Sequence, residues 1–103
     1  LSCTDHNDAS KHQNGEAYNA FIKNVKMYRN WGDCYMYTLL AQGKIDIAID
    51  PIMNLWDIQA LIPIVKGAGG VITDYQGKSP LGANSIIASN PLLHDKVIKL
   101  LNP

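Results

Sequence analysis

The chain has 103 residues, of which 47% are apolar and 17% charged, an ordinary globular balance that excludes a disordered or fibrous protein. Nine Lys plus Arg against nine Asp plus Glu leave zero formal charge, so there is no basic surplus for nucleic acid or anionic lipid, and neither is expected as a partner. A single domain of this size buries only about 60 to 70% of its unfolded surface, which leaves a thin stability margin.

The opening segment Thr4 to Gly15 collects Asp5, His6, Asn7, Asp8, Ser10, Asn14 and Gly15 without an apolar period, and it predicts a loop. From Glu16, Tyr18, Phe21, Ile22, Val25 and Tyr28 recur at three- and four-residue steps and predict an amphipathic helix ending near Arg29. A second helical run follows Gly32 and stops at Gly43. Ile45, Ile47 and Ile49 alternate with Asp46 and Ala48, the period-two pattern of a strand, and Asp50-Pro51 breaks it. Trp56 to Lys66 predicts a helix closed by Gly67 and bent where Pro63 removes a backbone donor. Gly70 to Thr73 and Ser85 to Ala88 predict short strands, and Pro91 prepares a last helix running through Leu101. This alternation of helix and strand predicts an α/β unit whose layered, largely parallel sheet is covered by helices.

Ile58 to Val65, the longest apolar stretch, is broken by Gln59 and Pro63 and falls short of the ~20 residues that cross a bilayer, so no membrane association is expected. Cys3 and Cys34 are too few for a disulfide framework or a structural zinc site, and they are expected to be reduced thiols in a cytoplasmic protein. Leu1 follows no basic n-region, which speaks against a signal peptide, and the missing initiator Met suggests a fragment.

Trp56-Asp57 at a helix start is the most specific chemical feature. A carboxylate in a first helical turn faces exposed amides and the positive dipole end, which favours its ionised form by about 0.3 to 1 kcal/mol. Magnesium takes such hard oxygen ligands. On position alone, however, the commoner reading is a charge that simply satisfies the helix. Asp5, His6, Asp8 and His12 lack fixed ligand spacing and read as solvated loop residues. His94 reads as a surface or helix contact, and Trp31 and Trp56 as packing anchors. The Gly67 to Gly70 run follows a helix and precedes a strand, the reverse of a phosphate cradle, so it reads as a helix stop.

Gly32-Asp33-Cys34-Tyr35, Ala41-Gln42-Gly43-Lys44-Ile45-Asp46, Trp56-Asp57-Ile58-Gln59-Ala60-Leu61-Ile62-Pro63-Ile64 and Gly67-Ala68-Gly69-Gly70-Val71-Ile72-Thr73-Asp74 form an ordered series. With Ala83-Asn84-Ser85-Ile86-Ile87-Ala88-Ser89-Asn90 and Leu93-His94, this series resembles the carboxy-terminal half of the inositol monophosphatase family over most of residues 29 to 101. The resemblance implies the C-terminal α/β domain of that fold, spanning residues 1–103, and a Mg2+-dependent hydrolase of small phosphate monoesters. It implies a metal-binding role for Asp57 and substrate-binding roles for Gly32, Asp33, Cys34 and Asp50. Gly-Asp-Cys-Tyr looks more like the histidinol-phosphatase branch than the inositol branch, and an added carboxylate suits a substrate that carries an amine.

The family's remaining metal ligands, a Glu-Glu pair and an Asp-Pro-Ile/Leu-Asp-Gly-Thr/Ser motif, belong to its amino-terminal half and have no counterpart here. Asp50-Pro51-Ile52-Met53-Asn54 begins like the second motif, but Met53 and Asn54 stand where the aspartate and glycine should be. One carboxylate cannot hold two metals about 3.5 to 4 Å apart, so a half-site with little turnover is expected from this chain alone. Apolar surface left open by the absent half is expected to make the chain a homodimer or to aggregate it. A non-catalytic α/β interaction module is one competing reading, and a nucleotide-phosphate phosphatase of the same superfamily is another.

Overall fold

A computed structural model describes residues 1–103, in the order β1 (Ser2–Cys3), α1 (His6–His12), α2 (Gly15–Ile22), α3 (Asp33–Ala41), β2 (Ile47–Asp50), α4 (Leu55–Gln59), α5 (Leu61–Gly67), β3 (Val71–Thr73), β4 (Ile86–Ser89) and α6 (His94–Leu101). The four strands form one sheet in the order β1-β2-β4-β3. Every residue of β2 and β4, the two central strands, is buried. Successive side chains of a strand point to opposite faces, and here both faces are covered. Ile47, Ile49 and Ile87 pack with Tyr18, Phe21, Val97 and Leu101 on the α1, α2 and α6 side. Ala48, Ile86 and Ala88 pack with Met36, Tyr37, Ile58 and Val65 on the α3, α4 and α5 side. The result is a three-layered α/β/α unit with two apolar cores.

The α/β class matches the sequence expectation, but the largely parallel sheet does not. Only β1 and β2 pair in parallel, while β4 pairs antiparallel with β2 (Ala48 opposite Ala88) and with β3 (Ile72 opposite Ala88). The α4–α5 crossover does return the chain parallel to β2. The gap it leaves between β2 and β3 is then filled by β4, which arrives from β3 without an intervening helix and so runs the other way.

Three local departures have identifiable causes. Thr4 to Gly15 is not a loop: Asp5 caps α1 by accepting from the Asn7 amide at 2.9 Å, and Asn14 caps α2 by accepting from Ala17 at 3.0 Å. The helix expected to reach Arg29 ends at Ile22, because Arg29 is drawn to the sheet edge, donating its amide to Leu1 and accepting from Cys3 at 3.1 Å each. The segment expected as one bent helix is two, α4 and α5, parting at Ala60. Gln59, the last residue of α4, is the residue whose carbonyl Pro63 would have bonded had it carried an amide proton.

Helix α5 closes as a Schellman motif, with the Gly69 amide bonded to Lys66 and the Gly70 amide to Val65. Gly69 takes the left-handed position at φ 86°. A Cβ on Gly70 would lie 2.9 Å from Val65 Cγ1 and 3.4 Å from the Ser89 carbonyl oxygen, so the close approach of α5 to the sheet requires glycine there. The glycine run is the helix stop expected, and no helix of the protein is long and apolar enough to cross a membrane.

Candidate functional site

Strand β2 ends at Asp50, and α3 and α4 both begin beside that end. Thr4, Asp33, Cys34, Asp50, Asn54 and Asp57 line the cleft so formed, whose volume is about 300 Å3. Three of the chain's nine acids therefore share one recess. A larger depression of about 740 Å3 lies at the other end of β2, but Asp46 is the sole carboxylate in its lining. Chemistry that needs several oxygen ligands belongs to the smaller cleft.

Asp50 is the buried acid of the site, only 3% exposed. Its position follows from the strand's alternation, since Asp50 shares a face with Ala48 and so turns toward α3. There the Tyr37 hydroxyl donates to Asp50 Oδ2 at 2.7 Å. Burial pushes the Asp50 carboxyl up to about 6, opposed by hydrogen bonding from Thr4 and Tyr37 and reinforced by the negative charges of Asp33 and Asp8. Burial first, and then the Asp50 charge, keep the Tyr37 phenol well above its ordinary range, so it stays a donor.

Asp33 is exposed and opens α3 after the N-cap residue Gly32. Its φ of 57° makes it the one non-glycine residue in the left-handed region, a backbone state that Asp tolerates better than most. The Asp33 amide donates to Thr4 Oγ1 at 3.2 Å, which ties the start of α3 to the end of β1. Gly32 lies against the same threonine, whose Cγ2 would stand 3.0 Å from a Cβ placed there. Cys34 follows as an exposed free thiol.

Asp57 sits in the first turn of α4 with its side chain open to solvent. The strand-end segment set aside as a metal motif still matters to the cleft, because Ile52, Met53 and Asn54 form its wall between Asp50 and Asp57. The Asp57 carboxylate and the neighbouring Asn54 amide oxygen are hard oxygen donors of the kind that Mg2+ takes. No three His, Cys, Asp or Glu side chains converge on one point, however. The residues present fit part of a magnesium shell and leave the rest to groups from elsewhere.

The cleft thus brings together the five residues singled out in the sequence, Gly32 through its packing on Thr4 and the other four as lining. Two participants were not anticipated. Thr4 carries no periodic signal in its polar segment. Tyr37 was legible in principle, since it stands four residues after Asp33 and hence on the same side of α3. Other expectations fall differently. His94 is 4% exposed, with Nε2 2.9 Å from Thr73 Oγ1 and Nδ1 2.8 Å from Ser89 Oγ, so it joins α6 to the sheet rather than lying at the surface. Trp56 is 73% exposed and anchors nothing within this chain.

Fold and cleft define an α/β/α unit with an acidic recess at the end of a central strand. The chain belongs to the inositol monophosphatase family, whose sequence profile it matches over residues 1–103. It is 38% identical over 87 residues to a histidinol-phosphatase of Mycobacterium tuberculosis, covering 84% of this chain and 34% of that protein. It is 43% identical over 68 residues to the histidinol-phosphatase of Chlorobaculum parvum, covering 64% of this chain and 26% of the relative. Among solved structures, an inositol monophosphatase from Zymomonas mobilis superposes with a TM-score of 0.89 at 25% identity, covering 100% of this chain and 42% of that one. The chain therefore spans about a quarter to a third of the length of these curated relatives.

Proposed function

We propose that this chain is the C-terminal domain, and supplies the C-terminal part of the active site, of a magnesium-dependent phosphomonoesterase acting on a small phosphate monoester, with histidinol phosphate preferred. The observation that carries this reading is the meeting of Asp33, Asp50 and Asp57 in one cleft. The exposed Asp57 would hold Mg2+ together with carboxylates from the part of the polypeptide beyond these residues. When bound there, the metal supplies a Lewis acid that lowers the pKa of water and neutralises phosphate charge.

The chain's own residues bind and orient. Asp50 and Asp33 present negative charge to an ammonium group, at one buried and one exposed position, and this favours an amine-bearing substrate over a neutral polyol. Gly32 lets the start of α3 come close to Thr4, and Cys34 gives the substrate a small, soft wall. The histidinol-phosphatase names of the Mycobacterium and Chlorobaculum relatives support the same substrate. Free Cys3 and Cys34 agree with a cytoplasmic protein, and the exposed apolar side chains of α4 and α5 with a homodimer.

The test is an assay of the family-length polypeptide carrying these residues, with Mg2+ or with chelator, against histidinol phosphate, inositol phosphate and a nucleotide. Magnesium-dependent turnover with the highest kcat/KM for histidinol phosphate is expected. A strong preference for inositol phosphate or the nucleotide would overturn the substrate assignment. Residues 1–103 alone should turn over little substrate, and no gain on adding the amino-terminal half, compared with that half by itself, would leave a binding module instead.

A further inference from the structure

We propose that Tyr37 is the positioning residue for Asp50, its buried hydroxyl fixing the orientation in which the carboxylate meets the substrate's cationic group. This rests on the reading of Asp50 as a substrate-binding acid.

A phenol has one proton, and the Tyr37 oxygen has two neighbours within reach, Asp50 Oδ2 at 2.7 Å and Met53 Sδ at 3.9 Å. A short bond to a charged oxygen is far stronger than a long one to a thioether, so the proton belongs to Asp50. Tyr37 is 1% exposed and packs in the core beneath α3, so its ring cannot swing away. The acceptor is thereby held as well: Oδ2 is committed to Tyr37, which sets the plane in which the carboxylate faces the cleft.

The groups around Asp50 show why such a donor is needed. Asp33 on α3 and Asp8 on α1 both oppose its negative charge, and burial opposes it more strongly still. Cys3 of β1, also close, is a neutral thiol whose own ionisation burial suppresses, up to about 11. The hydroxyls of Thr4 and Tyr37 both favour its ionised form. An ammonium group needs the ionised carboxylate, so the phenol acts on substrate binding without touching substrate.

Tyr37→Phe removes one oxygen and keeps the ring in the core. In the family-length polypeptide, KM for histidinol phosphate should rise about tenfold, the scale of one lost bond to a charged group, with the loss falling on KM more than on kcat. KM for inositol phosphate should move less than twofold. In residues 1–103 alone, 13C NMR titration of the Asp50 carboxyl should show its midpoint displaced upward from about 6. An Asp50 midpoint that stays in place, or equal KM changes for both substrates, would overturn the inference. Asp50→Asn run alongside separates the two layers. If it abolishes the preference for the amine while Tyr37→Phe does not alter it, positioning fails and the functional reading stands. If Asp50→Asn leaves the preference intact, the functional reading fails and the inference falls with it. Should the Phe variant not fold, 3-fluorotyrosine at position 37, a more acidic donor, should move the Asp50 midpoint down, and an unmoved midpoint would again overturn the inference.

Discussion

Asp33 occupies a backbone conformation that costs an ordinary L-residue about 1 to 2 kcal/mol, and it does so at the mouth of the acidic cleft. Replacing it separates backbone from side chain. Asp33→Ala should lower stability by about 1 kcal/mol in urea denaturation, whereas Asp33→Gly, free at positive φ, should be neutral or slightly stabilising. Both variants remove the carboxylate, so both should weaken binding of an amine-bearing phosphate ester equally. Equal stability of the two would mean that the position carries no strain.

Asp50 makes a pH prediction. Its folded midpoint is raised from 3.8 to about 6, so its contribution to stability is fully present below pH 3.8 and is lost as pH rises through about 6. The whole loss is about 3 kcal/mol for a shift of this size. Asp50→Asn, which cannot ionise, should remove that part of the pH dependence. Denaturation of wild type and variant at pH 4 and pH 7 measures it as the difference between their two slopes. This acid was singled out through the family resemblance, at the end of an alternating strand; Tyr37, four residues after Asp33, was legible as a neighbour of that residue, but its bond to Asp50, 13 residues away, became evident only once α3 was packed on the sheet.

At the scale of elements, what was legible followed from short-range rules. The alternation of Ile45, Ile47 and Ile49 located β2, the glycine run located the end of α5, and Pro63 implied a bend, though not the full break that parts α4 from α5. What was not legible depends on distant pairing. Nothing local to Ile86–Ser89 says that β4 will insert between β2 and β3, and this insertion makes the sheet mixed rather than largely parallel. Helix α1 was hidden because its seven residues are polar apart from buried Ala9, and its cap, Asp5, resembles a loop acid. His94 was hidden for a similar reason: its partners Thr73 and Ser89 come from two strands that the chain brings together late. The imidazole is held between the two hydroxyls, and burial holds the ring's midpoint below its usual 6.5. Its contribution to stability is therefore present above pH 6.5 and lost as pH falls through the lowered folded value. His94→Gln should flatten this acid limb in thermal melts between pH 7 and pH 5. An unchanged acid limb would mean that α6 is held by its apolar face alone.

The whole molecule carries apolar surface that its own layers do not cover. Tyr35, Leu55, Trp56 and Ile64 are 57, 45, 73 and 49% exposed, and all lie on α3, α4 or α5, the helices that border the acidic cleft. Apolar patches of this kind drive association. Residues 1–103 alone should sediment as a dimer or larger species, and Trp56→Lys should shift them toward monomer; a monomeric wild type would contradict this. The chain spans only 26% and 34% of the two histidinol-phosphatases.

Divalent-cation binding by the exposed carboxylate of α4 decides whether the cleft is a phosphatase half-site. Asp57→Asn in the family-length polypeptide, with Mn2+ binding followed by water-proton relaxation and turnover of histidinol phosphate followed with Mg2+, tests this most directly. We predict at least a tenfold weaker Mn2+ affinity and at least a hundredfold lower kcat/KM, on the scale of losing one charged ligand from a metal site. Wild-type affinity together with wild-type turnover in that variant would contradict the assignment.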